Sequence, residues 1–177
     1  SKASSIKEGY AKLDTDLKAV KTFLATSGIP ETSVDISPVF MNEVYEQYQQ
    51  SEKSYNLVQN ITVQSEDVQQ IGNLSKNTSA LVGQGILFST NAVEYYYSKL
   101  PEARVALLEE AVKDAKARVE KLANAGGKSV GAMKSATSGV VQVMSPNSIE
   151  VSDYGTYDTS SIEKEIMVTV RASFKID

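Results

Sequence analysis

The apolar positions of this chain change period several times, and each change marks an element. Ile6, Tyr10, Leu13, Leu17, Val20 and Leu24 recur at three- and four-residue steps. That spacing places them on one stripe of a helix. Ser5 with Glu8 fits a capping box at its start. Gly28 stops it, and Pro30 prevents its return. The stretch Thr32–Tyr48 then reads as extended, interrupted by Pro38, and "QQSEKS" as a polar turn. From Tyr55 to Ser65 the period falls to two. Leu57, Gln59, Ile61 and Val63 share one face, and Asn56, Val58, Asn60, Thr62 and Gln64 the wetter one. Together the two stretches predict a long antiparallel hairpin.

A second helix is predicted from Ser65 or Glu66 to Val82, with a stripe of Val68, Ile71, Leu74, Thr78, Leu81 and Val82. Glu66 and Asp67 fall in its first turn, where the helix dipole favours acids. Gly83 and Gly85 end it. "ILFSTNAVEYYYS" (Ile86–Ser98) is predicted as a strand. Pro101 opens a third helix, a favoured early position for proline. Its stripe is Val105, Leu108, Val112, Ala115, Val119 and Leu122. Its polar face pairs Glu109 with Lys113 and Asp114 with Arg118, acid before base. Two strands follow, Met133–Met144 and Ile162–Ile176, joined by the long polar loop "SPNSIEVSDYGTYDTSS".

The fold class is therefore α+β, amphipathic helices on antiparallel sheet, in the order α-β-β-α-β-α-β-β. One more strand in front would make the first part βαββαβ, the split-βαβ pattern. The pattern predicts an upstream first strand that this chain lacks. At 177 residues one domain with two lobes is expected: about 1–98 split-βαβ-like, and about 99–177 a long helix with a β-hairpin.

Composition narrows the chemistry. The chain has no Cys and no His. This removes thiol nucleophiles, histidine triads and Cys/His zinc sites. Net charge is −4, with no basic cluster, so nucleic acid is not an expected partner. No apolar run reaches the length that spans a bilayer.

"ANAGGKSVG" (123–131) contains Gly127-Lys128-Ser129, the tail of a phosphate-binding loop. Such a loop needs a glycine five residues earlier, and Leu122 stands there. It must also open a helix, whereas this stretch follows one and presents carbonyls. The reading here is a helix C-cap, with Gly126 or Gly127 left-handed.

The segment "AVKDAKARVEKLANAGGKSVGAMKSA" resembles the core signature of the SIMPL domain family of bacterial proteins, once described as a domain of unknown function. Asp114-Ala115-Lys116 and Arg118, then Lys128, Gly131, Lys134 and Ser135, carry the likeness. It extends through "LATSGIPETSVDIS", "YNLVQNITVQSEDVQQI" and "SIEKEIMVTVRASFKI". Family members usually begin with a strand ahead of the first helix. The resemblance implies export to the periplasm or cell envelope, a link to stress defence in some members, and large assemblies in others. It brings no catalytic residues.

Other constellations read as structure. Ser4-x-x-Lys7 and Ser161-x-x-Lys164 match the Ser-x-x-Lys of penicillin-binding enzymes, without the companion motifs. Glu109, Glu110 and Asp114 lie on a solvated helix face. Glu150, Asp153 and Asp158 share a loop with Tyr154, Gly155 and Tyr157, at no calcium-loop spacing. Tyr95, Tyr96 and Tyr97 are the candidate interface, since tyrosine is enriched where surfaces meet. No catalytic residue, cofactor or metal is expected. The function expected first is a non-enzymatic protein working as a homo-oligomer or through protein interaction. The alternative is a binding module for a small molecule or peptide at an inter-lobe groove or an open strand edge. A hydrolase built on Asp, Glu, Ser or Lys ranks third.

Overall fold

A computed structural model describes residues 2–44 and 53–177. The predicted turn "QQSEKS", apart from its last two residues, and the end of the first predicted strand lie outside the described residues. Two compact units form, Ser1–Val93 and Glu94–Asp177.

In the first unit, β1 (Lys2–Ala3) leads into α1 (Ile6–Thr26). The Ser5 side chain accepts from the Glu8 amide at 3.3 Å, capping the helix. The Glu8 carboxylate does not reach back to Ser5. It accepts instead from Ser4 Oγ at 2.5 Å. Leu13, Leu17, Val20 and Leu24 line the covered side as predicted. Ile6 and Tyr10 are exposed, and the first turns meet the sheet through buried Gly9. The chain leaves α1 by a Schellman turn. Gly28, at φ +78, donates to Ala25, and Ile29 donates to Leu24, both at 3.0 Å.

The predicted hairpin forms in two registers. β2 (Val34–Ile36) pairs with β5 (Ile61–Val63), and β3 (Phe40–Val44) with β4 (Ser54–Val58). Residues 37–39 face only residues 59 and 60, because Pro38 has no N–H for the ladder. Ser37 bridges the step. Its amide donates to the Asn60 carbonyl and its hydroxyl accepts from the Asn60 amide, each at 2.9 Å. Leu57 is fully buried, while its neighbours Asn56 and Val58 are exposed.

The sheet order is β1-β4-β3, antiparallel at both contacts. β1 and β3 therefore run parallel, joined by α1 and separated by β4. This is the split-βαβ arrangement. The first-strand position, expected to be missing, is held by Lys2 and Ala3, paired with Asn56 and Tyr55.

The predicted second helix is two pieces, α2 (Val68–Lys76) and α3 (Ser79–Val82). α2 starts later than predicted: Asp67, expected inside the first turn, is its cap and accepts from the Gln70 amide at 2.9 Å. The break falls at Asn77 and Thr78, whose short polar side chains compete for backbone groups. A second Schellman turn ends α3, with Gly85 at φ +77 and Ile86 donating to Leu81. Ile86–Ser98 is not a strand. No β-ladder partner lies beside it among the described residues, and an extended segment without a ladder is only a strap.

In the second unit, α4 (Leu100–Ala125) packs on a ribbon of β6 (Val130–Met144) and β8 (Glu165–Ile176). A short β7 (Thr156–Tyr157) adds to β6 in parallel, giving the order β7-β6-β8. Ile166, Val168, Val170, Ala172 and Phe174 of β8 form the half-buried face, alternating with exposed Met167, Thr169 and Arg171. Leu108, Val112, Ala115 and Val119 of α4 are half-buried as predicted. Val105 and Leu122 are exposed instead, because a two-stranded ribbon covers a narrower helix face than a full sheet. β8 starts at Glu165 rather than Ile162, for a reason that lies in the Asp158 turn described below.

Candidate functional site

The glycine-lysine-serine stretch closes the end of α4. Gly127 adopts φ +70, its amide donates to Asn124, and the Lys128 amide donates to Ala123 at 2.9 Å. That is a Schellman C-cap. The groups it presents are spent on closing the helix.

The candidate region gathers at the far end of the ribbon. Gln142 of β6 is buried. Its Nε2 donates to the Ser152 carbonyl at 2.6 Å, and its Oε1 accepts from Thr156 Oγ1 at 2.8 Å. One amide thus fixes both ends of a stretch of the 145–157 loop. Gly155 must be glycine here: its φ is +86, and a Cβ would stand 2.8 Å from the Val141 carbonyl. The loop so held projects Ile149, Val151 and Tyr154 into solvent. An open surface depression of about 390 Å³ is lined by Met144, Ser145, Ser148, Glu150, Thr156 and Asp158 among others.

Asp158 organises the next turn. Its amide donates to Val143 at 2.8 Å, extending the β7 contact. Its carboxylate accepts from the amides of Ser160 (3.0 Å) and Ser161 (3.2 Å), and from both serine hydroxyls. Donors from Ser160 first, then Ser161, hold its pKa far below the usual carboxylate range. Lys164 folds into the same turn. Its side chain is 6% exposed, and Nζ donates to the Asp158 carbonyl at 2.5 Å and to Oδ2 at 3.4 Å. This turn delays the start of β8.

The turn also decides the Ser161-x-x-Lys164 motif. A serine–lysine dyad needs the amine to take the hydroxyl proton. Here the serine hydroxyl faces the Asp158 carboxylate and the Glu163 carbonyl, while lysine donates to the same aspartate. The Ser4 hydroxyl donates to Glu8, within the start of α1. Glu109 and Glu110 pair with Lys113 at 2.7 and 3.0 Å, and Asp114 with Arg118 at 2.8 Å, all exposed. Hydrogen bonds to Glu109 and Glu110 push Lys113 up to about 12. Among the described residues, no three acidic side chains gather as metal ligands.

Tyr95, Tyr96 and Tyr97 sit beside β7. The Tyr95 amide donates to the Thr159 carbonyl and the Tyr97 amide to Tyr157 Oη, each at 2.8 Å. The Tyr96 ring leans on Tyr157, with centroids 5.8 Å apart and planes tilted by 41°. Its hydroxyl donates to Glu94 Oε2 at 2.6 Å, and that bond raises its pKa. Tyr95 is half-buried, while Tyr96 and Tyr97 are exposed. Glu94 and the pairing of Tyr157 with Tyr96 carried no signal in the sequence, because the contact crosses some sixty positions of chain.

The last feature is an edge. β8 pairs with β6 along its length, but β7 pairs only with Gln142 and Val143. The other side of β6, from Val130 to Val140, has no strand beside it among the described residues. The one charge along it is Lys134. Open edges with few charges are templates for further pairing.

A family model described as "SIMPL: Protein of unknown function (DUF541)" matches residues 1–174. No curated protein matches the chain.

Proposed function

The chain belongs to the SIMPL family, and from that premise we propose that it is a non-enzymatic protein of the bacterial cell envelope or periplasm, acting by assembly with copies of itself. The observation that carries this reading is the open β6 edge from Val130 to Val140. A second β6 laid against it would satisfy backbone groups of both copies. Exposed Tyr96 and Tyr97, with Tyr95 beside them, form the proposed lateral interface. The absence of His and Cys and the engagement of Asp158, Ser161 and Lys164 in a closed turn support a role without catalysis. No nucleic-acid partner is proposed, given the net charge of −4. A role in stress defence belongs to the same reading and rests on the family resemblance alone. Light scattering coupled to gel filtration tests the assembly: a discrete oligomer supports it, and a monomer refutes it.

A second reading, a binding module for a small molecule or peptide, draws on the open depression beside the 145–157 loop. Thermal stabilisation by a ligand, lost on filling that depression, is its test.

A further inference from the structure

We propose that Tyr96 and Tyr157 form a site of oxidative cross-linking, at which a one-electron oxidant of the haem-peroxidase class, driven by peroxide, joins the two rings as dityrosine. The rings stand 5.8 Å apart, centroid to centroid, with a 41° tilt. That is the contact range of a packed aromatic pair. At that separation, side-chain rotation can bring the ring edges within bonding reach. The backbone holds the pair in place on both sides: the Tyr97 amide donates to Tyr157 Oη, and the Tyr95 amide to the Thr159 carbonyl. Both rings reach solvent in the unassembled chain, Tyr96 at 65% and Tyr157 at 39% exposure, so an external oxidant has access before copies meet.

Two further features favour the chemistry. The Tyr96 hydroxyl already donates to Glu94 Oε2 at 2.6 Å. A carboxylate in that position receives the proton as the phenol gives up its electron. The chain also has no Cys, a side chain that otherwise competes for oxidising equivalents. Of the described tyrosines, this is the pair brought ring to ring.

The reaction balances. Each phenol loses one electron and one proton, giving two tyrosyl radicals. The radicals couple through one new carbon–carbon bond, between ring carbons ortho to the hydroxyls. The hydrogens on those two carbons then return to the oxygens, restoring two phenols. The protein loses two hydrogen atoms in all, and one peroxide is reduced to two waters. The product ties the strap ahead of α4 covalently to β7, closing a loop that restricts the unfolded chain.

The test treats the full chain with hydrogen peroxide and a haem peroxidase. The expected product shows dityrosine fluorescence, runs as a single chain on a denaturing gel, and is two hydrogens lighter. Peptide mapping joins the fragment carrying Tyr96 to the one carrying Tyr157, and the melting temperature rises. Tyr96→Phe and Tyr157→Phe both lose the intramolecular product. Tyr154→Phe, which removes the most exposed hydroxyl of the same region, keeps it. Tyr96→Phe leaves the Tyr97–Tyr157 bond intact, so its loss of product is not a loss of fold. Fluorescence found only in covalent dimers, or an unchanged intramolecular yield in Tyr96→Phe, overturns the proposal.

Discussion

Leu57 and Gly9 are fitted to each other: a methyl group built on Gly9 would stand 2.5 Å from Leu57 Cδ1. Leu57 lies at the centre of the β1-β4-β3 sheet and is fully buried, and Gly9 is the buried point of α1 above it. The absence of a side chain lets the helix close on the strand. Leu57→Ala should destabilise the chain by about 2–5 kcal/mol, as a cavity-forming core change does. Gly9→Ala should cost about 1–3 kcal/mol through overpacking. Because the two share one space, the double variant should cost less than the sum. Urea unfolding of the three variants gives all three numbers.

The Schellman turns make a second prediction. Leu24 with Ile29, and Leu81 with Ile86, are closing pairs of helix ends, and all four side chains are buried. Helix caps therefore supply much of the first unit's core. Gly28→Ala forces a side chain to φ +78 and brings a Cβ within 3.2 Å of Gln70 Nε2, which donates to the Gly28 carbonyl. The backbone strain alone is about 1–2 kcal/mol. Gly127→Ala carries similar strain but meets nothing within 4 Å. Thermal unfolding should find Gly28→Ala the more damaging of the two.

Asp158 gives a pH dependence. Its folded-state pKa is depressed, chiefly by hydrogen bonds from Ser160 and Ser161. Its contribution is therefore fully present above the unfolded-state pKa of about 3.9 and is lost as pH falls toward the folded-state value. Asp158→Asn should lower the melting temperature by a constant amount from neutral pH down to about pH 5. Below about pH 4 the gap to the parent protein should narrow. A gap that widens with acid would contradict this account of the turn.

Much of this architecture was readable in the chain. The cap at Ser5, the stop at Gly28, the hairpin broken at Pro38 and the C-cap at Gly127 are local events, fixed by residues a few positions apart. The α+β class follows from the changes of period. What escaped depends on partners distant in sequence. Ile86–Ser98 has strand-like residues, but no ladder for them to join. Val105 and Leu122 fit a helical stripe, yet the ribbon is too narrow to cover them. The first-strand position is filled by only two residues, Lys2 and Ala3, too few to give a periodic signal. In the candidate region, Tyr95–Tyr97 stood out by composition alone. Their contact with Tyr157, and the role of Gln142 in holding the loop, are long-range facts that no spacing encodes.

Assembly through the β6 edge is the central claim, and light scattering coupled to gel filtration, on the parent chain and on the variant Ser135→Glu with Thr137→Glu, tests it most directly. Both side chains are exposed on β6, and Thr137 sits opposite Arg171 in the ribbon, so the added acid at Thr137 pairs favourably within each copy. Between two copies of β6 the new charges would face each other and repel. The parent should form a discrete oligomer and the variant should be a monomer. A parent that stays monomeric at every concentration, or a variant that assembles unchanged, would contradict assembly through this edge.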